Sequence, residues 1–567
     1  MFIIIFKEII SSHDSGGWST SLDRMEGGRM REEKVKVDTT QLLLLTHVCR
    51  RWRKIAIGFP SFWTLVDNRN PDQLDVFIQR SHGLPLSLFL SVHEDAKALK
   101  DILLQHGHRI QRLDIAILPF HFQVESLLLF KPDLLRCLTV TQAQYYFRDS
   151  QTELALVPCR VLFNMPECPL IALAISPVTT CLPSNRFAKL THMFLSFDHS
   201  QYLIDLSTLY AFFLNTPLLE FLHISNLGYL PSYELKQASG PVSLNALRSC
   251  AFTEGNLGSY FAVLGFLSVP ETAWIRLSQV TSFYMPPPIP ALPAINNLHR
   301  LEIVANKTDL HFVAEGDSSG FWLHACVRVG STHWNSWFLW LYELPIMFPL
   351  IQITSLDISI EDTVHFIPIL LGNMPGLAHL GVRLGPWAYY DKDTGSYPDS
   401  DGSGGVAHAL FTALAQTEPL VSPALRSLAI DIPPGFKDSS ALAAETELHI
   451  PSSNDAQDGA YRFVPASLVR ALATRAGAGA PIQHLAIQPF LGDWRHGGED
   501  TEALNAELGR MVQVGRYGLK EYEVPHWSDW GRQMVPFRVR DCWRFEDAEK
   551  YWTLRDDDQP VYHLRWE

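Results

Sequence analysis

The 567 residues are 47% hydrophobic and 19% charged, and Gly 34 and Pro 36 are ordinary contents, which excludes collagen-like, low-complexity and largely disordered chains. A formal net charge of −14 argues against a broad electrostatic grip on nucleic acid or an anionic membrane, so neither is expected as a partner. At about 150 residues per domain, the length suits about four domains or one long repeat array.

Cys49, Cys137, Cys159, Cys168, Cys181, Cys250, Cys326 and Cys542 are scattered and form no C-x-x-C pair. Reduced, buried thiols and a cytoplasmic or nuclear setting are the expectation, with no thiolate metal site. Met1 to Ile10 is apolar but lacks a basic n-region. Trp337 to Ile351 is interrupted by Glu343 and Pro345 and is too short to span a bilayer.

Residues 12–40 are polar and glycine-containing and read as a loop between two apolar segments. Then Leu42, Leu45, Val48, Cys49, Trp52, Ile55 and Ala56 recur at steps of three and four. That spacing predicts a helix presenting them on one face, capped by Asp38, Thr39 or Thr40 and stopped by Gly58 and Pro60.

From residue 84 to 524 a unit of the form apolar-x-x-apolar-x-apolar keeps returning. Examples are Ile110/Leu113/Ile115, Leu170/Leu173/Ile175, Leu219/Leu222/Ile224, Ile353/Leu356/Ile358, Leu377/Leu380/Val382 and Leu519/Tyr522/Val524. Its last two positions are two apart, so they point to one side of a short strand. Units often follow a turn, as in Asn215-Thr216-Pro217 and Asn373-Met374-Pro375, and spacings of about 20–29 residues suit leucine-rich repeats. The expected fold class is α/β: a short N-terminal helical unit over 1–66, an irregular leucine-rich-repeat solenoid with a curved parallel sheet over 84–524, and an aromatic cap over 525–567. Residues 389–405, with Asp391, Asp393, Asp399 and Asp401, read as an acidic surface loop inserted in the array; an EF-hand would need Gly at position six and Glu at twelve. Trp527, Trp530, Trp543, Trp552 and Trp566 suit a cap over the open apolar end of an array.

Gly316-Asp317-Ser318-Ser319-Gly320 matches G-x-S-x-G, but the flanking patterns predict strand–turn–strand, not the strand–turn–helix of a nucleophile elbow. The 22 His show no metal-ligand spacing, and His223, His379 and His484 fall in or beside strands. No catalytic residue, metal or cofactor is expected.

The run Leu42-Leu43-Leu44-Leu45-Thr46-His47-Val48-Cys49-Arg50-Arg51-Trp52-Arg53-Lys54-Ile55-Ala56, followed by Pro60-Ser61-Phe62-Trp63, resembles the second half of an F-box. Its Cys-Arg-Arg-Trp-Arg form and Ser-Phe-Trp end look most like the large F-box families of mushroom-forming fungi, whose members carry a degenerate leucine-rich-repeat region. Phe2 to Ile10 resembles the first aliphatic helix, without the Leu-Pro opening of the pattern. The resemblance implies a non-catalytic substrate receptor that docks on the Skp-type adaptor of a cullin–RING ubiquitin ligase and captures a client protein. The implied adaptor contacts are Ile5, Phe6, Ile9, Leu42, Leu45, Val48, Cys49, Trp52, Ile55, Pro60 and Trp63, and Arg50, Arg51, Arg53 and Lys54 would lie on an exposed helix face. The alternative is a leucine-rich-repeat scaffold whose truncated F-box no longer engages a ligase.

Strand alternation places the residues between the inward apolar pairs on an opposite, solvent-facing surface. Asp114, His223, Glu302, Asp357, Arg383, Asp431 and Glu523 are the expected client-binding positions there. Their mostly acidic character predicts a client segment with basic residues.

Overall fold

The computed structural model describes residues 40–68, 71–92, 97–117, 127–142, 161–176, 178, 182–197, 206–230, 240–282, 288–305, 309–327, 336–360, 366–383, 403–432, 466–489, 551, 553–554 and 560–561. The expected loop 12–40 (but for Thr40), nearly all of the acidic insertion, Glu523 and most of the aromatic tail lie outside the described residues. The chain is mixed α/β with mostly parallel strands and divides into two compact units, Met1–Trp274 with Arg538–Glu567, and Ile275–Phe537.

The first unit begins with helices α1 (Thr40–Val48) and α2 (Arg50–Ile57), then strand β1 (Leu65–Asp67) and helix α3 (Pro71–Arg80). The expected end of the helical domain at residue 66 therefore falls inside a strand. Asn68 extends the pairing of β1 with β2 (Leu86–Val92): its Nδ2 donates to Ser91 O at 2.7 Å, and Ser91 N donates to its Oδ1 at 2.8 Å. After α4 (Lys97–His106) come β3 (Ile110–Ile117), β4 (Cys137–Gln142), β5 (Ala172–Ser176) and β6 (His192–Ser196). Helix α5 (Leu206–Leu214), β7 (Phe221–Leu227), β8 (Val242–Ser243), β9 (Ser249–Asn256), α6 (Leu257–Phe266) and β10 (Leu267–Ser268) follow. Strands β1 to β7 and then β9 pair in parallel in that order, while β8 pairs separately with β10.

The register of these strands is the register of the sequence unit. Leu113, Leu138, Leu173, Met193, Leu222 and Cys250 are successive partners, and so are Ile115, Val140, Ile175, Leu195, Ile224 and Phe252. The leading residues Ile110, Leu135, Leu170, Leu190, Leu219 and Leu247 are buried beside them. Each such leucine contributes about 1.5–3 kcal/mol by burial, and a slip of one residue would turn every one to the other face. Helices supply the opposing apolar stripe: α3 buries Leu74, Phe77 and Ile78, and α5 buries Leu209, Phe212 and Phe213. The turn from β9 into α6 needs Gly255, whose φ of +123 is left-handed and whose missing Cβ leaves room for Leu227 O. Asn256 then caps α6, its side chain accepting from Ser259 N at 3.0 Å.

The second unit holds nearly all of β11 (Trp274–Ser282), then β12 (Arg300–Ala305), β13 (Asp309–Glu315), β14 (Gly320–Val327), α7 (Ser336–Met347) and β15 (Ser355–Ile360). It continues with α8 (Phe366–Gly372), β16 (His379–Arg383), α9 (Ser403–Leu414), β17 (Ser427–Ile432), α10 (Ala466–Gly477) and β18 (His484–Pro489). Here too the unit sets the register: Leu301, Leu356, Leu380, Leu428 and Leu485 align, as do Ile303, Ile358, Val382, Ile430 and Ile487.

A curved parallel sheet was expected over this region, and the strand order β11-β14-β13-β12-β15 departs from it locally. β12, β13 and β14 are antiparallel neighbours, and β13 and β14 are joined by a tight turn at residues 316–319, closed by Gly316 N donating to Ser319 O at 2.9 Å. That is the strand–turn–strand connection predicted at the G-x-S-x-G match. The lipophilic stretch after Ser336 is a helix that buries Trp337, Trp340, Leu341 and Leu344, and among the described residues no helix is long and apolar enough to cross a membrane. Arg475 on α10 is fully buried and donates to Val421 O at 2.8 Å and Ser422 O at 3.0 Å. Those two bonds stabilise the loop that leads into β17.

Candidate interaction surfaces

The helical segment is two helices rather than the expected one. Cys49 between them is extended (φ −159, ψ 168), and its Sγ accepts from Trp52 N at 3.4 Å as the N-cap of α2. Arg53 Nε reaches back to Thr46 O at 2.8 Å and satisfies a carbonyl at the end of α1. The break rotates the apolar stripe. Leu42 and Leu45 are buried, but Val48 is 59% exposed, which corrects the expectation of one shared face. Trp52, Ile55 and Pro60 are half-buried, and Cys49 is exposed. Arg50, Arg51, Arg53 and Lys54 are exposed, as expected. Ile5, Phe6 and Ile9 lie outside the described residues.

Trp63 sits inside its own chain. It is 0% exposed, its Nε1 donates to Ala56 O at 2.8 Å, and its ring meets Phe77 edge-on at 4.8 Å with the Arg80 guanidinium 4.4 Å from the ring centroid. It thereby fastens α2 to α3, so the adaptor-contact role implied for it conflicts with its burial. Leu43, Leu44 and Ile57 are exposed instead. A run of four leucines on a helix cannot all face one side, and that was the signal for the outward pair.

The second face of the first unit also differs from expectation. Asp114 and His223, placed on solvent-facing positions by alternation, are each only 1% exposed. Two rows of partners cross the strands here. One runs Phe89, Asp114, Thr139, Ala174, Phe194, His223 and the other Arg112, Cys137, Ala172, His192, Phe221. Phe89, Cys137, Ala172, Ala174 and Phe194 form a buried apolar cluster against which Leu65, Ala116 and Tyr551 pack. Arg112 Nε donates to Asp114 Oδ2 at 2.7 Å. Burial works against the Arg112 charge, but Asp114, Cys137 and Tyr551 together more than offset it, so the guanidinium is held above its ordinary range. Burial pushes the Cys137 thiol up to about 12. His223 Nε2 lies 3.0 Å from Thr253 Oγ1, and its ring meets Phe194 edge-on at 4.8 Å.

In the second unit Asp357 keeps its expected partial exposure. Its Oδ2 lies 3.6 Å from Arg300 Nη2; burial raises the carboxyl pKa and Arg300 works the other way. Glu302 is its partner across the strands and is half-buried. Arg383 and Asp431 are backbone partners in β16 and β17, one strand row away. Across β13 and β14, His311 and His324 stack at 4.1 Å with 16° between the rings. Burial first, and His324 second, lower the His311 pKa well below its usual value. Among the described residues, no group of three or more His, Cys, Asp or Glu could hold a metal ion. No family model and no curated protein sequence matches the chain.

Proposed function

We propose that the chain is a substrate-recognition subunit of a Skp–cullin–F-box ubiquitin ligase, with an F-box-like helical segment docking the adaptor and a leucine-rich-repeat solenoid capturing a client protein. The supporting observation is the apolar surface left on α1 and α2. On these two helices Leu43, Leu44, Val48 and Ile57 are exposed and Trp52 and Ile55 half-buried, while Trp63 anchors the same segment from inside. Clustered exposed apolar side chains mark interaction sites, and a large aromatic at the edge is the residue type that dominates such interfaces. The leucine register along the strands supports the repeat reading, since each unit contributes one strand and buries its apolar residues against its neighbours.

The test is co-purification of the full chain with a fungal Skp-type adaptor. Wild type is expected to retain it. Leu44→Asp with Val48→Asp is expected to lose it while circular dichroism stays unchanged. Equal retention by the double variant would remove α1 from the interface.

A further inference from the structure

On the side of the strands opposite its leucines, the second unit carries the consecutive partners Glu302, Asp357, Gly381 and Ala429 on β12, β15, β16 and β17. Bulk falls along that row, from two carboxylates to a hydrogen and a methyl group. All four residues are half-buried, so the row is open to solvent. His379 and Ser427 border its small end, one exposed and the other half-buried. The Asp357 carboxylate leans along the row. A Cβ added at Gly381 would collide with its Oδ1, so that oxygen stands over the glycine, in space that any other residue would fill.

The two oxygens of that carboxylate have different surroundings. Oδ2 faces Arg300 Nη2 at 3.6 Å in a loose ion pair, with the Arg300 and Asp357 side chains still 54% and 40% exposed. Burial raises the Asp357 pKa and Arg300 opposes it, so this one guanidinium leaves the carboxylate short of positive charge. With Oδ2 turned to Arg300, Oδ1 remains for an incoming cation. A single acceptor suits the point charge of an ammonium, whereas a guanidinium fork is used best against both oxygens. A four-carbon lysine stem laid over Ala429 carries its ammonium one strand spacing, about 4.8 Å, to the oxygen over Gly381.

We propose that the open face of β15, β16 and β17 is a docking surface for a client protein that presents a lysine, its ammonium on Asp357 Oδ1 and its stem across Gly381 and Ala429. Gly381 makes the room into which the carboxylate leans, and Arg300 favours its ionised form. Glu302, next in the row, adds negative charge on the same side. The inference rests on the client half of the proposed function. Its test contains no adaptor, so failure of this surface and failure of adaptor docking are read separately.

The test titrates the full chain, labelled with nitrogen-15 at glycine, with an octalysine peptide and reads the Gly381 amide resonance, assigned by its loss in Gly381→Ala. Reading at Gly381 separates this surface from other acidic places on a chain of net charge −14. The resonance is expected to shift and saturate. In Asp357→Asn the midpoint should rise about fivefold, the size of one partly solvated ion pair. Glu271→Gln makes the same change in net charge at an exposed position of the first unit and should leave the midpoint unchanged. Octaglutamate should not move the resonance. The other glycine resonances report whether each variant keeps its fold, and Asp357→Asn conserves side-chain volume. A Gly381 resonance that stays still under octalysine overturns the proposal. So does a midpoint unchanged in Asp357→Asn, an equal rise in Glu271→Gln, or a shift produced by octaglutamate.

Discussion

Replacing Trp63 with phenylalanine separates internal anchoring from adaptor contact. The indole N–H to Ala56 O bond would be lost, leaving that carbonyl only its contact with Phe59 N, at a cost of about 1 kcal/mol. The smaller ring keeps the edge contact with Phe77 but leaves a gap beneath Arg80, adding about 1 kcal/mol. A total near 2 kcal/mol corresponds to about a 30-fold change in an opening equilibrium. Hydrogen-exchange mass spectrometry over residues 50–80 should therefore show about 30-fold faster exchange, with peptides from the second unit unchanged. Adaptor retention should persist under conditions where the segment stays folded. Unchanged exchange with lost adaptor binding would refute the reasoning, because it would mean that Trp63 faces the partner and contributes nothing inside.

Stability of the second unit should fall with acidification. The His311 pKa is lowered in the folded state by burial, so the unfolded chain binds more protons below the ordinary histidine value of 6.5. The contribution is therefore complete above that pH and is lost as pH drops towards the folded value. Urea midpoints from pH 7.5 to 5.5 should show a slope that His311→Phe reduces. Cys49 should alkylate rapidly at pH 8, because it is exposed, while Cys137 and Cys168, both pushed up to about 12 chiefly by burial, should react only on unfolding. Arg475→Met removes two bonds to buried carbonyls and should cost about 3 kcal/mol, read as a lower unfolding midpoint of the second unit.

The strand positions were legible because one physical demand repeats. Each unit must bury its leading residue and the two side chains that follow on the same side, and Leu219, Leu222 and Ile224 do this as Ile353, Leu356 and Ile358 do. The hairpin at 316–319 was legible for the same local reason. The helix break at Cys49 was not, because steps of three and four fit a helix of either nine residues or eighteen until one residue turns extended. Nor was the burial of Asp114 and His223. Alternation says which side of a strand a residue faces but not what lies over that side. Among the described residues, one covering contact there, Tyr551, comes from far along the chain.

The two faces of the parallel strands are therefore under different constraints. On the leucine side, successive strands carry nearly the same residues, and any of them could be exchanged with little change in chemistry. On the other side the same register brings Arg112, Cys137, Ala172, His192 and Phe221 into line, five different side chains on five adjacent strands. A repeat fixes the first set because every neighbour interface needs it. The second set is free to vary from strand to strand, and register alone assembles it into a composite site. Under the proposed function, client specificity is encoded in the residues that the repeat pattern leaves blank rather than along the leucines.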